Sequence, residues 1–196
     1  MPPRKYRLYF LLFCGTMLYF LANVQRVAIP GTVFNLLQER LQLSAPWITG
    51  LGSAFMYVYA LNQLAVGLLV ERYGGARVIV FGAAAFCAGS LLFPLSGSLP
   101  MLYFSRALTG LGASTLYLSL VQETIRMFRN GYAVLLSIII MIGYAGGIAA
   151  NAPFALGVER FGFDAVLYAA GGLALLFYLL FLLTRATLKP VPVRKV

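Results

Sequence analysis

Uncharged, mostly apolar stretches alternate along the chain with short clusters of charge, and they cover residues 8–25, 45–70, 78–101, 107–122, 131–158 and 165–184. A helix rises about 1.5 Å per residue, so roughly 20 apolar residues cross the hydrocarbon core of a bilayer. Five of these six stretches come near that length unaided. The fourth does so once its start moves back to about Pro100, which places Arg106 inside the span and lets the third end near Pro94. The pattern predicts an all-α integral membrane protein of six transmembrane helices. The first helix has room to continue past a bend at Pro30 and Gly31, because the chain stays uncharged from 27 to 38. A helix over 8–36 would be roughly 45 Å long and strongly tilted, with Arg26 inside the membrane.

Composition supports lipid as the solvent. Of 196 residues, 61% are hydrophobic and 10% charged, and mean hydropathy is +0.88. A water-facing domain carries about a quarter charged residues. The first stretch is too long for a signal-peptide core and no small-residue cleavage site follows it. The net charge of +10 falls in short clusters between apolar runs, with no aromatic-interleaved basic stripe, so nucleic acid is not an expected partner. Cys14 and Cys87 lie within apolar runs and read as small buried residues, and the chain has no histidine. No metal site, no cofactor and no Ser–His or Cys–His nucleophile is therefore expected, and no enzyme.

The basic residues set an orientation. Arg4, Lys5, Arg7, Arg72, Arg77, Arg126, Arg129, Arg185, Lys189, Arg194 and Lys195 fall on one side, Arg40 and Arg160 on the other. The positive-inside rule then puts both termini in the cytoplasm. The expected location is a bacterial inner (plasma) membrane. Residues 185–196 read as a basic cytoplasmic tail or the start of a central linker, since two prolines disfavour further helix.

A short sequence recurs. Val70-Glu71-Arg72-Tyr73-Gly74 follows the second span and Val158-Glu159-Arg160-Phe161-Gly162 follows the fifth, 88 positions later. Three spans apart, the two copies fall on opposite sides of the membrane. The chain thus reads as two inverted three-helix repeats, over about 6–96 and 100–184.

The stretch Gly67-Leu68-Leu69-Val70-Glu71-Arg72-Tyr73-Gly74-Gly75-Ala76-Arg77 closely resembles the loop 2–3 signature of the major facilitator superfamily, with Glu71 where Asp is commoner. Gly67 is expected to allow close helix approach and Gly74 a tight turn. In that family the acid and its basic neighbours, here Glu71, Arg72 and Arg77, latch two six-helix halves together on the cytoplasmic side. Arg106, Gly110 and Gly112 resemble the family's helix 4 signature, Arg-x-x-x-Gly-x-Gly, and Gly143, Gly147 and Asn151 give helix 5 a small face. Within the family, Asn23-Val24-Gln25-Arg26-Val27 and Tyr57-Val58-Tyr59-Ala60-Leu61-Asn62-Gln63 resemble the organic-anion and phagosomal-transporter branches. Sugar-acid proton symporters carry acids where this chain has Gln25 and Ala113.

The resemblance implies one half of a secondary transporter moving a small organic solute, such as an organic anion, by alternating access. Its partners would be that solute, the bilayer and a second half, from a longer chain or a second copy. The rival is a non-transporting membrane scaffold or assembly subunit that keeps the same fold. An ionisable group in the membrane is costly and so a functional candidate. Arg26 shares a helical face with Tyr19 and Asn23 and would hold a carboxylate or phosphate; the alternative is that it snorkels to the interface. Tyr59, Asn62 and Gln63 form a second polar face, either for substrate or as interhelical glue. Arg106 reads as structural, donating to carbonyls or polar groups on helix 1.

Overall fold

In lipid a backbone can satisfy its polar groups only within itself, so long apolar runs become helices. The computed structural model describes residues 3–128 and 130–188. The segment from 189 onward, with Lys189, Arg194 and Lys195, and the position of Arg129 lie outside the described residues. Helix α1 (Pro3–Val27) passes through one π-turn (Ala28–Thr32) into α2 (Phe34–Leu41). There follow α3 (Ala45–Tyr73), α4 (Gly75–Leu95), α5 (Leu99–Met127), α6 (Tyr132–Ala149), α7 (Ala152–Phe161) and α8 (Phe163–Ala186).

Five helices are long and apolar enough to cross a membrane: α1 with its π-turn (Lys5–Thr32), α3, α4, α6 and α8. The expected fourth span, α5, matches α3 at 29 residues but is less apolar, since it carries Arg106, Glu123, Arg126 and many Ser and Thr. Its polarity is internal. Helix α5 lies between α3 and α4, and Ser105, Arg106, Thr109, Ser114, Thr115, Ser119, Glu123 and Thr124 are all buried. Most of its hydroxyls donate to carbonyls one turn back, as Thr109 does to Ser105 (2.7 Å) and Thr124 to Leu120 (2.7 Å). Small residues bring the neighbours close. A Cβ on Gly110 would meet the backbone of Phe55 on α3, and one on Gly112 the backbone of Gly82 and Phe86 on α4.

Two spans break, each at a proline that cannot donate to the helix. Helix α1 ends at Val27, Ile29 is non-helical (φ −117°, ψ 117°), and the chain resumes as α2, so the expected continuation past Pro30 occurs as a separate short helix. The uncharged stretch 131–158 is likewise not one helix: α6 stops at Ala149 and α7 starts at Ala152, just ahead of Pro153. The breaks touch, with the Thr32 hydroxyl donating to the Ala150 carbonyl at 2.6 Å. Beyond them Arg40 at the end of α2 pairs with Asp164 at the start of α8 (2.8 Å). At the opposite end Arg7 donates to the Thr187 carbonyl (3.5 Å) and Tyr9 meets Phe128, so the starts and ends of α1, α5 and α8 gather there.

The recurring sequence forms the same corner twice. Gly74 (φ 83°, ψ 145°) and Gly162 (φ 88°, ψ 156°) hold a conformation open essentially to glycine alone. Their N–H groups donate to Val70 and Val158 respectively, each at 2.9 Å.

Candidate functional site

Beside the break in α1 lies a small, solvent-open recess lined by Tyr19, Ala22, Asn23 and Arg26 of α1, Phe55 and Tyr59 of α3 and Ala113 of α5. The three- and four-residue spacing of Tyr19, Asn23 and Arg26 puts them on one face of α1, as expected. Asn23 donates its amide to the Tyr19 carbonyl (2.9 Å), which fixes its rotamer. Arg26 is half-buried and makes no hydrogen bond or ion pair among the described residues. Tyr19 and Tyr59, on different helices, both lie near its charge.

The recess does not gather every expected residue. Asn62 donates to Ser114 Oγ (2.7 Å) and the Leu111 carbonyl (3.3 Å), and Gln63 donates to the Ser114 carbonyl (3.5 Å). Both amides therefore join α3 to α5 and stand outside the recess lining. Such bonds in a membrane contribute about 0.6 kcal/mol each on average.

Arg106 is 1% exposed and satisfies backbone that the break leaves open. Val33 N–H donates to Ala28 rather than Ile29, so the Ile29 carbonyl has no helical donor. Arg106 Nη2 donates to it at 2.8 Å, with longer bonds from Nη1 to Gln25 O and from Nε to Leu51 O, each 3.5 Å. Its guanidinium also lies over the Phe55 ring, 4.7 Å from the centroid. Gln25, one residue before Arg26, accepts from Ser90 on α4 at 2.9 Å.

At the other end of α3, Glu71, Arg72 and Arg77 are exposed. Arg72 lies over the Tyr73 ring; none of the three has a hydrogen bond or ion pair among the described residues. The N-terminus of α4 is held instead by α5: Gly75 N–H donates to Gln122 Oε1 (2.7 Å) and Ala76 N–H to Glu123 Oε1 (2.9 Å). Two of the orphan N–H groups of a helix start are thereby satisfied. Gly67 departs from expectation. Among the described residues no neighbouring atom lies within 4 Å of the place its Cβ would take, so it brings no helix close there. On α6 the close approaches to α1 are at Gly143, against the Tyr19 ring, and Gly146, against the Phe20 backbone; Gly147 meets only a Val27 methyl at 3.7 Å.

Phe55, Tyr117, Tyr144, Gln122 and Glu123 were not singled out by the sequence. Phe55 and Tyr59 do stand four apart on α3, a spacing that shares one helical face. Tyr117 and Tyr144 meet that site only through packing between helices, while Gln122 and Glu123 act at the start of α4.

The chain matches the model of the Major Facilitator Superfamily over residues 9–196. It is 24% identical over 185 residues to the chloroplastic ascorbate transporter of Arabidopsis thaliana, across 92% of this chain and 33% of that protein. It is 30% identical over 133 residues to the voltage-gated purine nucleotide uniporter SLC17A9 of Homo sapiens, across 64% of this chain and 30% of that one. The chain spans about a third of the length of these relatives. In fold it is similar to the POT family transporter PepTSo, solved in meso, with a TM-score of 0.79 at 16% identity over 100% of this chain and 40% of that one. With the loop and helix 4 signatures in their expected order and a family match over nearly its whole length, the chain belongs to the Major Facilitator Superfamily.

Proposed function

We propose that this chain is one six-helix half of a secondary transporter that moves a small organic anion by alternating access, with Arg26 as the anion anchor. The observation that carries the reading is a guanidinium with no hydrogen-bond or ion-pair partner among the described residues, held in a recess with Tyr19, Asn23 and Tyr59. Relatives that carry ascorbate and purine nucleotides support an anionic solute. In this reading α5 crosses the membrane as the sixth span, its polar groups hidden between α3 and α4. Residues of about 6–96 and 100–184 are inverted repeats, a reading supported by their matching glycine corners. A second half comes from a longer polypeptide or a second copy, and exposed Glu71, Arg72 and Arg77 await it. The named relatives are eukaryotic, so they support an integral membrane protein without favouring a bacterial inner membrane.

Counterflow in proteoliposomes, run alongside mass measurement in mild detergent, tests this reading. Saturable flux of organic anions is expected only where two six-helix units are present. A strictly monomeric chain that transports would overturn the half-transporter reading. Paired units without saturable flux would favour the scaffold.

Orientation is tested separately. Both termini are placed in the cytoplasm, with the Gly74 corner inside and the Gly162 corner outside. Arg77 and Phe161 are exposed, so Arg77→Cys and Phe161→Cys in a background lacking Cys14 and Cys87 are suitable probes. An impermeant maleimide should label position 161 from outside intact cells, and position 77 only after permeabilisation. The reverse pattern would invert the topology. Labelling of both from one side would remove the inverted repeat.

A further inference from the structure

The surroundings of Arg26 narrow the chemistry of its ligand, given the anion reading above. Tyr19 of α1 and Tyr59 of α3 line the recess, and Tyr117 of α5 and Tyr144 of α6 pack against Tyr19 just outside that lining. Tyr19 lies 5.8 Å from Tyr117 and meets Tyr144 edge to face at 6.5 Å, centroid to centroid. Tyr59 stacks on Phe55 at 5.9 Å with 17° between the planes. Tyr19 and Phe55 are buried, whereas Tyr59 and Tyr117 are half-buried and Tyr144 is 57% exposed. The buried pair thus backs rings that still offer free surface.

Two observations set this cluster apart from ordinary packing. Along α6 the other exposed side chains past the first turn are Ser137, whose hydroxyl donates to the Ala133 carbonyl, and the aliphatic residues Ile138, Met141 and Ile148 that lipid favours. Tyr144 interrupts them in mid-helix, where a phenol facing hydrocarbon would leave its hydroxyl unsatisfied. Secondly, neither the Tyr117 nor the Tyr144 hydroxyl has a hydrogen-bond partner among the described residues. Buried or membrane-embedded tyrosines ordinarily find one.

We propose that the recess takes an anion carried on a flat aromatic or conjugated ring. A guanidinium binds a carboxylate as a planar fork. A ring conjugated to that carboxylate continues the plane, presenting faces to Tyr59 and Tyr144 and polar substituents to the free phenols. A saturated ring of the same size is puckered and has no π-face, so it gains burial but not ring pairing. Arg26 sets the charge, and the tyrosines set the shape.

The test is equilibrium binding to the purified protein in nanodiscs, with benzoate, cyclohexanecarboxylate and benzamide as probes. Benzoate should bind about three- to tenfold tighter than cyclohexanecarboxylate, the range expected of one to two aromatic contacts. Neutral benzamide should bind weakest. Equal binding of benzoate and cyclohexanecarboxylate would overturn the ring requirement while leaving the anion site standing. Equal binding of benzamide and benzoate would overturn the anion site itself, and failure of both carboxylates to bind would overturn both. Tyr144→Leu, at an exposed position that leaves the core intact, should remove the preference for benzoate without weakening cyclohexanecarboxylate. A preference that survived both Tyr144→Leu and Tyr59→Leu would also overturn the proposal.

Discussion

Arg106→Leu is expected to destabilise the bundle by about 3–5 kcal/mol, a large share of what holds such a fold together. Leucine would fill much of the volume but donate nothing. The Ile29 carbonyl, bypassed by the π-turn, would lose its 2.8 Å donor, and the carbonyls of Gln25 and Leu51 would lose their longer ones. An unsatisfied buried carbonyl costs about 1–3 kcal/mol. The contact with the Phe55 ring would go as well. Arg106→Lys keeps a cation but supplies one compact group in place of a fork reaching three carbonyls, so it should recover only part of the loss. Reversible unfolding in mixed micelles, followed by helical circular dichroism, measures the difference. If Arg106→Leu unfolded at the same point as the parent, the break in α1 would be held by other groups and Arg106 would have no structural role.

The spans were legible because lipid imposes a coarse rule, that of long uncharged runs, and the chain obeys it in α1, α3, α4, α6 and α8. Helix α5 escaped that rule physically: it is wrapped by α3 and α4, so its surface need not be apolar. Pro30 was read as a bend, while Pro153 was passed over because charge marks the ends of a run and says nothing of a break within it. The Gly110 and Gly112 signature did mark close contacts, one with each neighbour. Gly67 marked none among the described residues, since a small residue signals an approach without naming who approaches. Asn62 and Gln63 illustrate the same limit, because an amide suited to a substrate is equally suited to Ser114 one helix away. The sequence put Tyr19, Asn23 and Arg26 on one face through simple helical spacing. It could not reveal that Tyr117 and Tyr144, on α5 and α6, are packed against that face, since no local pattern links residues so far apart.

Arg26→Ala should abolish anion binding, and this is the largest functional effect expected of a single substitution. Arginine stays charged in proteins, and a cation inside the membrane costs about 2.5–3.5 kcal/mol or more unless something offsets it. None of the described carboxylates, Glu39 and Glu159 included, forms an ion pair with Arg26. Glu71 lies at the far end of α3, Glu123 is engaged with Ala76 and Arg126, and Asp164 with Arg40. Its neighbours Tyr19, Asn23 and Tyr59 are neutral hydrogen-bonding groups that can flank an anion without neutralising the guanidinium. A ligand carboxylate or phosphate bound through two charge-assisted bonds would complete the site, and hydrogen bonds to charged groups contribute about 1.5–3 kcal/mol each. Losing both corresponds to roughly a 10²- to 10⁴-fold loss of affinity, beyond detection for a weak transport substrate. Arg26→Lys keeps the charge but loses the planar two-point geometry, so it should bind measurably and more weakly than the parent. Folding should change little in either variant, since Arg26 makes no hydrogen bond or ion pair to the described residues. Affinity for a panel of organic anions and their neutral analogues, measured on protein with matched unfolding midpoints, decides the matter. If Arg26→Ala retained parental affinity for an anion that the parent transports, Arg26 would be a residue that snorkels to the membrane interface, and the anchor would lie elsewhere.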